Sequence, residues 1–140
     1  TEVLSAFPYQ TNKATLHTDS QFMPHTKRCW ASWNYRVDGD KHSTIYWMNS
    51  LQGATAEKEF FVSINPSRKI PVEHIIKELE YDHPLFNLKS IAAQKEVPKL
   101  NAADTGRYFC GAWQRFGFHE DGLWSAFRLC KQLLGRNPWS

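Results

Sequence analysis

Ala31-Ser32-Trp33-Asn34-Tyr35-Arg36-Val37-Asp38-Gly39-Asp40, followed by Thr44-Ile45-Tyr46-Trp47-Met48-Asn49, is the stretch that decides the fold. Ala31, Trp33, Tyr35 and Val37 alternate with Ser32, Asn34 and Arg36, the period of a strand with two unlike faces. Asp38-Gly39 then supplies a hairpin turn, and the β-branched and aromatic run 44–49 predicts the returning strand. An antiparallel pair of aromatic strands therefore sits at the centre of the reading.

Working outward, residues 2–7 read as a helix tail closed by Pro8, and Ala14-Thr15-Leu16-His17 alternates as a strand. Beyond Gly53, Phe60–Ile64 is a short apolar run that predicts a buried strand ended by Asn65-Pro66-Ser67. Residues 72–82 suit neither period cleanly, and we expect a helical start with an extended finish before Pro84. Residues 87–95 predict a short helix capped by Asn87. Arg107–Trp113 is expected to be a strand, and a helix is expected from about Gly122 to Leu134. Its stripe is Leu123, Phe127, Cys130 and Leu134, with Gly135 and Pro138 ending it. The fold class is thus α+β: a largely antiparallel or mixed aromatic-rich sheet with a few short helices, ending in a strand–loop–helix.

Composition bounds the function. The 140 residues are 41% hydrophobic and 22% charged, with six Trp, five Tyr and nine Phe. That is globular, with far more flat rings than a core of this size requires. The net charge of +3 comes from 17 basic and 14 acidic residues spread along the chain, with no basic run; we expect no nucleic-acid partner. No apolar run approaches a membrane span, and the first residues lack the pattern of a signal peptide. Cys29, Cys110 and Cys130, without metal or redox spacing, are expected to be free buried thiols in a reducing cytoplasm.

None of the seven glycines falls in a GxG pair, so these residues contain no dinucleotide-binding fingerprint or phosphate loop of the usual kind. His119-Glu120-Asp121 is the densest polar cluster, but three consecutive side chains diverge, and no metal site is expected. No serine sits in a Gly-x-Ser-x-Gly elbow, which ranks a hydrolase built on His119 and Glu120 last among the readings. In one reading, Asp121 simply caps the last helix while Glu120 favours its positive end. In the other, that helix end faces a flavin's N1–C2=O edge, neutral when oxidised and gaining negative charge on reduction, with Gly122 allowing close approach. The aromatics also have two readings. Trp30, Trp33, Tyr35, Tyr46 and Trp47 belong to the core, the commoner case, or Trp33, Tyr46 and Trp47 line an apolar substrate pocket.

Tyr108-Phe109-Cys110-Gly111-Ala112-Trp113 followed by Gly117-Phe118-His119-Glu120-Asp121-Gly122-Leu123 resembles the C-terminal FAD motif of flavin-containing amine oxidoreductases. Within that superfamily the chain most resembles predicted NAD/FAD-binding proteins often encoded beside cyclopropane-fatty-acid synthases. Leu16-His17-Thr18-Asp19, Trp30–Tyr35, Tyr46–Gln52, Asn65-Pro66, Tyr81–Phe86 and Ala93-Gln94 share in the likeness, which covers nearly the whole chain.

The resemblance implies a two-domain FAD-dependent oxidoreductase transferring hydride from a C–H or C–N bond to flavin, with a small apolar or amine substrate. It divides the chain into a partial substrate-type sheet domain, residues 1–100, and a returning segment of the FAD-binding domain, residues 101–140. The sheet proper would run from Ala14 to about Phe86. Gly111, Ala112, Trp113, Phe118, His119, Glu120, Asp121, Gly122 and Leu123 would then surround the cofactor. Gly111 and Ala112 would lie near the ribityl–phosphate region, and Gly122 and Leu123 would offer backbone N–H to the ring. Many members carry an acidic residue where this chain has Ala112, so the ribityl contact must be lost or replaced. The N-terminal dinucleotide-binding half is expected outside these 140 residues and is the chief partner. The chain is expected to be inactive alone, to retain little FAD, and to expose apolar surface through which a homodimer could form. The resemblance names no catalytic acid or base. The competing expectation is a non-enzymatic aromatic-rich module that binds an apolar ligand or a protein.

Overall fold

The structure, a computed structural model, describes residues 2–102 and 105–140. Among these, one sheet contains β1 (Tyr9–His17), β2 (Trp33–Asp38), β3 (Lys41–Trp47), β4 (Phe61–Ile64) and β5 (Ile75–Pro84), in the spatial order β2-β3-β4-β1-β5. The pairings β2–β3, β3–β4 and β1–β4 are antiparallel. The hairpin closes on Gly39-Asp40, with Asp38 opposite Lys41. Gly39 has φ +59°, the conformation that the first central residue of a tight hairpin turn must take and that glycine takes without strain. The returning strand starts at Lys41, earlier than the expected Thr44. It stops at Trp47, because Met48–Gln52 turns into a short helix, α2.

Short helices complete the α+β architecture: α1 (Glu2–Ser5), α3 (Leu88–Gln94), α4 (Val97–Ala102) and α5 (His119–Leu134). Asn87 caps α3 as expected. Its side chain accepts from the Ser90 N–H, and the Ser90 hydroxyl accepts from the Asn87 N–H. The ambiguous stretch resolves as foreseen, with a 3-10 turn at Val72–His74 leading directly into β5.

The chain clusters into two compact units, one formed by Thr11–Asp82 and one by Thr1–Gln10 with His83–Ser140. The sheet unit has its own core of Phe22, Met23, Ile45, Phe61 and Ile70, with Trp30, Trp47 and Ile75 packed against it. Burying each of the five core side chains contributes roughly 1.5–3 kcal/mol. Register puts Ile45, Ser63 and Thr15 in one row and Trp47, Phe61 and His17 in the next, all on the core face. His17 is fully buried, edge-on to Phe22 with its centroid 5.2 Å away, and 5.6 Å from Phe61. Its Nδ1 accepts from the Asp19 N–H at 3.2 Å, which leaves Nε2–H to donate to the Ser63 hydroxyl at 2.8 Å. Burial, ahead of the opposing effect of Asp19, lowers its pKa to about 4.

Four expectations are overturned. The aromatic face of β2 is not in the core: Trp33, Tyr35 and Val37 are each more than half exposed. The opposite face, with Asn34 and Arg36, turns inward, where Asn34 bonds Ala31 and Ile45 carbonyls and Arg36 reaches the Phe22 carbonyl. Alternation distinguishes two faces without saying which is covered. Second, Arg107–Trp113 is not a strand. Its polar backbone groups are met by side chains: Asn101 brackets Phe109 through both N–H and C=O, and the Ser125 hydroxyl accepts from the Gly111 N–H. Third, α5 begins at His119, and its apolar stripe is largely in solvent. Leu123, Cys130 and Leu134 are exposed, and the buried residues are Asp121 and Ser125. Fourth, all three cysteines are free as expected, but exposed rather than buried.

Candidate functional site

The unit formed by residues 1–10 and 83–140 holds the predicted cofactor segment. Gly111 has φ +146°, and a Cβ there would lie 2.6 Å from the Trp113 Nε1. The glycine is therefore required by the indole that folds back over it. That indole meets Phe7 edge-on, centroids 4.7 Å apart. Residues Ala112–Gln114 form a 3-10 turn. Gln94 fixes the turn from outside, donating to the Trp113 carbonyl at 3.0 Å and the Arg115 carbonyl at 2.6 Å. Ser125 fixes it from α5, accepting from Gly111 at 2.8 Å and donating to the Gly122 carbonyl at 2.8 Å.

Asp121 does not cap α5 from the first position, as expected, but from the third residue of the helix. Its carboxylate accepts from the Phe118 N–H at 3.1 Å and the Phe116 N–H at 3.2 Å, and lies 3.6 Å from the Arg115 guanidinium. Arg115 in turn lies 4.8 Å from the Trp124 ring, and Arg128 lies 4.8 Å from the same ring. With Asp121 committed inward, the backbone N–H groups of His119 and Glu120 have no hydrogen-bond partner among the described residues. They open at the positive end of a sixteen-residue helix.

The nine predicted cofactor residues therefore divide. Phe118, His119, Glu120 and Leu123 are exposed around the helix mouth. Gly111, Ala112, Trp113 and Asp121 shape the turn beneath it. Gly122 lies against Ala112, where an added Cβ would make an ordinary 3.9 Å contact; its missing side chain is not what keeps the mouth open. Residues missed by the sequence reading are Ser125, Asn101 and Arg115. A signal for Ser125 was available, since it is one turn beyond Asp121 and the two form the helix's buried stripe.

The substrate-pocket residues separate as well. Trp33 and Tyr46 are cross-strand partners on one face of the sheet, where Trp33 stacks on Tyr35 and Tyr35 on His42 at 6.2 and 5.9 Å. Trp47 is on the other face, edge-on to Trp30 at 5.3 Å. Its indole N–H donates to Glu59, which also accepts from Lys27, both at 2.6 Å. Lys27 first, and then Trp47, holds the Glu59 carboxyl below its ordinary range. Among the described residues no three His, Cys, Asp or Glu side chains converge as a metal site would require, and no helix is long and apolar enough to cross a membrane.

The unit of residues 1–10 and 83–140 buries only Phe7 and Val97 among its described large hydrophobics, while Phe116 and Phe118 are 70% and 69% exposed. No protein-family model matches the chain, and no curated protein is significantly similar to it.

Proposed function

We propose that the chain supplies the substrate-side sheet and part of the flavin site of an FAD-dependent, amine-oxidase-like oxidoreductase, working with a dinucleotide-binding half. The observation that carries this is the mouth of α5. The Gly111–Trp113 turn is tied to the helix through Ser125, the Asp121 carboxylate is taken up by the Phe116 and Phe118 N–H groups, and two backbone N–H groups are left without a partner among the described residues. Such donors suit a neutral ring carbonyl that gains negative charge on reduction. Glu120 beside them disfavours a phosphate, and exposed Phe116, Phe118 and Leu123 give the flat apolar surroundings a ring needs. FAD fits this outer face. The cofactor would supply the hydride chemistry. His119 and Glu120 would hold its ring edge by their amides, and Ser125 and Gln94 would keep the underlying turn in place. Gly111, Ala112, Trp113 and Asp121 act as support, not as contacts.

The discontinuous unit suits the same reading, because residues before and after the sheet unit group together, as they would if the sheet were inserted into a cofactor domain. The sparse core of that unit is what a surface normally covered by a partner half, or by a second copy, would leave. Exposed free thiols suit the reducing cytoplasm. The test is Ser125→Ala in the natural-length protein. It should lower FAD content per chain severalfold, with the sheet unit still folded by near-ultraviolet circular dichroism; unchanged FAD content would reject the role assigned to the turn. A second reading, a non-enzymatic module for an apolar ligand or a protein, is favoured by the open aromatic face of Trp33, Tyr35 and Tyr46.

A further inference from the structure

The positive charge that looks dispersed along the sequence is gathered by the fold. A groove of about 680 Å³ in the sheet unit is lined by Lys13, Lys41, His42, Arg68 and Lys69, with Glu78 its one carboxylate. Of the chain's 17 Lys and Arg and 14 Asp and Glu, the groove holds four and one, which leaves thirteen of each elsewhere. The whole net charge of +3 therefore resides in this groove. Glu78 is already paired with Lys13 at 2.8 Å. Lys41 and Lys69 are exposed and form no ion pair among the described residues.

The rim is held in place by hydrogen bonds. Asn65, at φ +49°, accepts from the Lys13 N–H at 2.9 Å through its side chain, while its own N–H donates to the Lys13 carbonyl at 2.8 Å. Ser67 donates to Asp38 at the hairpin, next to Lys41, and the charge of Asp38 is met by Arg36 at 2.7 Å. Arg68 donates to the Gln21 carbonyl and lies 4.6 Å from the Phe22 ring. A cationic loop is thereby pinned to β1 on one side and to the β2–β3 turn on the other. Between the cations, Pro66, Ile70, Val72 and Ile75 form an apolar wall. The volume is that of a site for a drug-sized molecule.

We propose that this groove binds a small anionic amphiphile, its phosphate or carboxylate head among Lys41, Arg68 and Lys69 and its apolar body along Ile70, Val72 and Ile75. No Phe, Tyr or Trp lines the groove and its one aromatic ring, His42, is stacked on Tyr35, which argues for an aliphatic body over a nucleobase. The inference rests on the sheet unit alone and stands apart from the flavin reading.

The probe is octyl phosphate kept below its micellar concentration, titrated into the natural-length protein and followed by calorimetry and amide chemical shifts. Binding should saturate at one molecule per chain, move the amides of Lys41, Arg68, Lys69 and Ile70, and weaken in high salt. Lys41→Gln and Lys69→Gln should each weaken it roughly two- to fivefold, as exposed charge pairs do, while Lys95→Gln, which lowers the net charge equally but lies in the other unit, should leave it unchanged. Octanol should not compete, and inorganic phosphate should compete only weakly. The proposal is overturned if octyl phosphate fails to saturate, if Lys95→Gln weakens binding as much as the groove variants, or if only anionic vesicles or nucleic acid bind.

Discussion

Lowering the pH from 7 to 5 should destabilise the sheet unit through one residue, His17. In the fold its imidazole is neutral, with Nδ1 already accepting from Asp19, Phe22 edge-on to it and Phe61 tilted against it. Protonation would put a charge where no water reaches, and His74 adds further repulsion, so the pKa falls from 6.5 to about 4. The sign follows from linkage. The unfolded chain takes up a proton near pH 6.5 and the folded one does not. The stabilisation is therefore complete above pH 6.5 and is lost as the pH falls towards 4. At about 1.36 kcal/mol per pKa unit the full effect is about 3.4 kcal/mol, of which about 2 kcal/mol falls between pH 7 and pH 5. Domains of this size are stable by only about 5–15 kcal/mol in total, so the loss is readily measured. Urea unfolding of the natural-length protein at the two pH values, with His17→Gln as the non-titrating comparison, isolates it from the other histidines. The variant should be less stable at pH 7 yet lose about 2 kcal/mol less on going to pH 5. Equal losses in the two proteins, or a His17 resonance titrating near 6.5, would refute the reasoning.

Gly111→Ala should cost more than about 1 kcal/mol, since its Cβ meets the Trp113 indole at 2.6 Å and its φ is unsuited to a side chain; a melting temperature equal to wild type would count against this geometry. Asp121→Asn should loosen the start of α5 by about 1.5–3 kcal/mol, the usual worth of hydrogen bonds to a charged acceptor, visible as faster amide exchange at Phe116 and Phe118. Trp33→Ser with Tyr35→Ser should change stability by less than about 1 kcal/mol because both rings are already in solvent. The same pair should reduce self-association or partner capture, and light scattering at rising concentration measures the former.

The sheet was legible where the turn chemistry was strong: Asp38-Gly39 placed the hairpin, and the apolar run 60–64 placed the central strand. Which face of β2 is covered was not legible, because Trp33, Tyr35 and Val37 are apolar enough for a core and yet lie open. The segment 107–113 has the residues of a strand but lacks a neighbouring strand to pair with. Asn101 and Ser125 take that role through side-chain hydrogen bonds, which no periodicity records. The positive groove was invisible for a related reason: Lys13, Lys41 and Arg68 come from separate segments of the chain. Around α5 the local chemistry of Asp121 could be read, but its position in the helix depended on Phe118 taking the cap.

Flavin content of the protein isolated at its natural length from its own cells tests the account most directly. One FAD per polypeptide, with a reduction that responds to Ser125→Ala, is the predicted result. A correctly folded protein that carries no flavin, and takes up none when FAD is supplied, would contradict it.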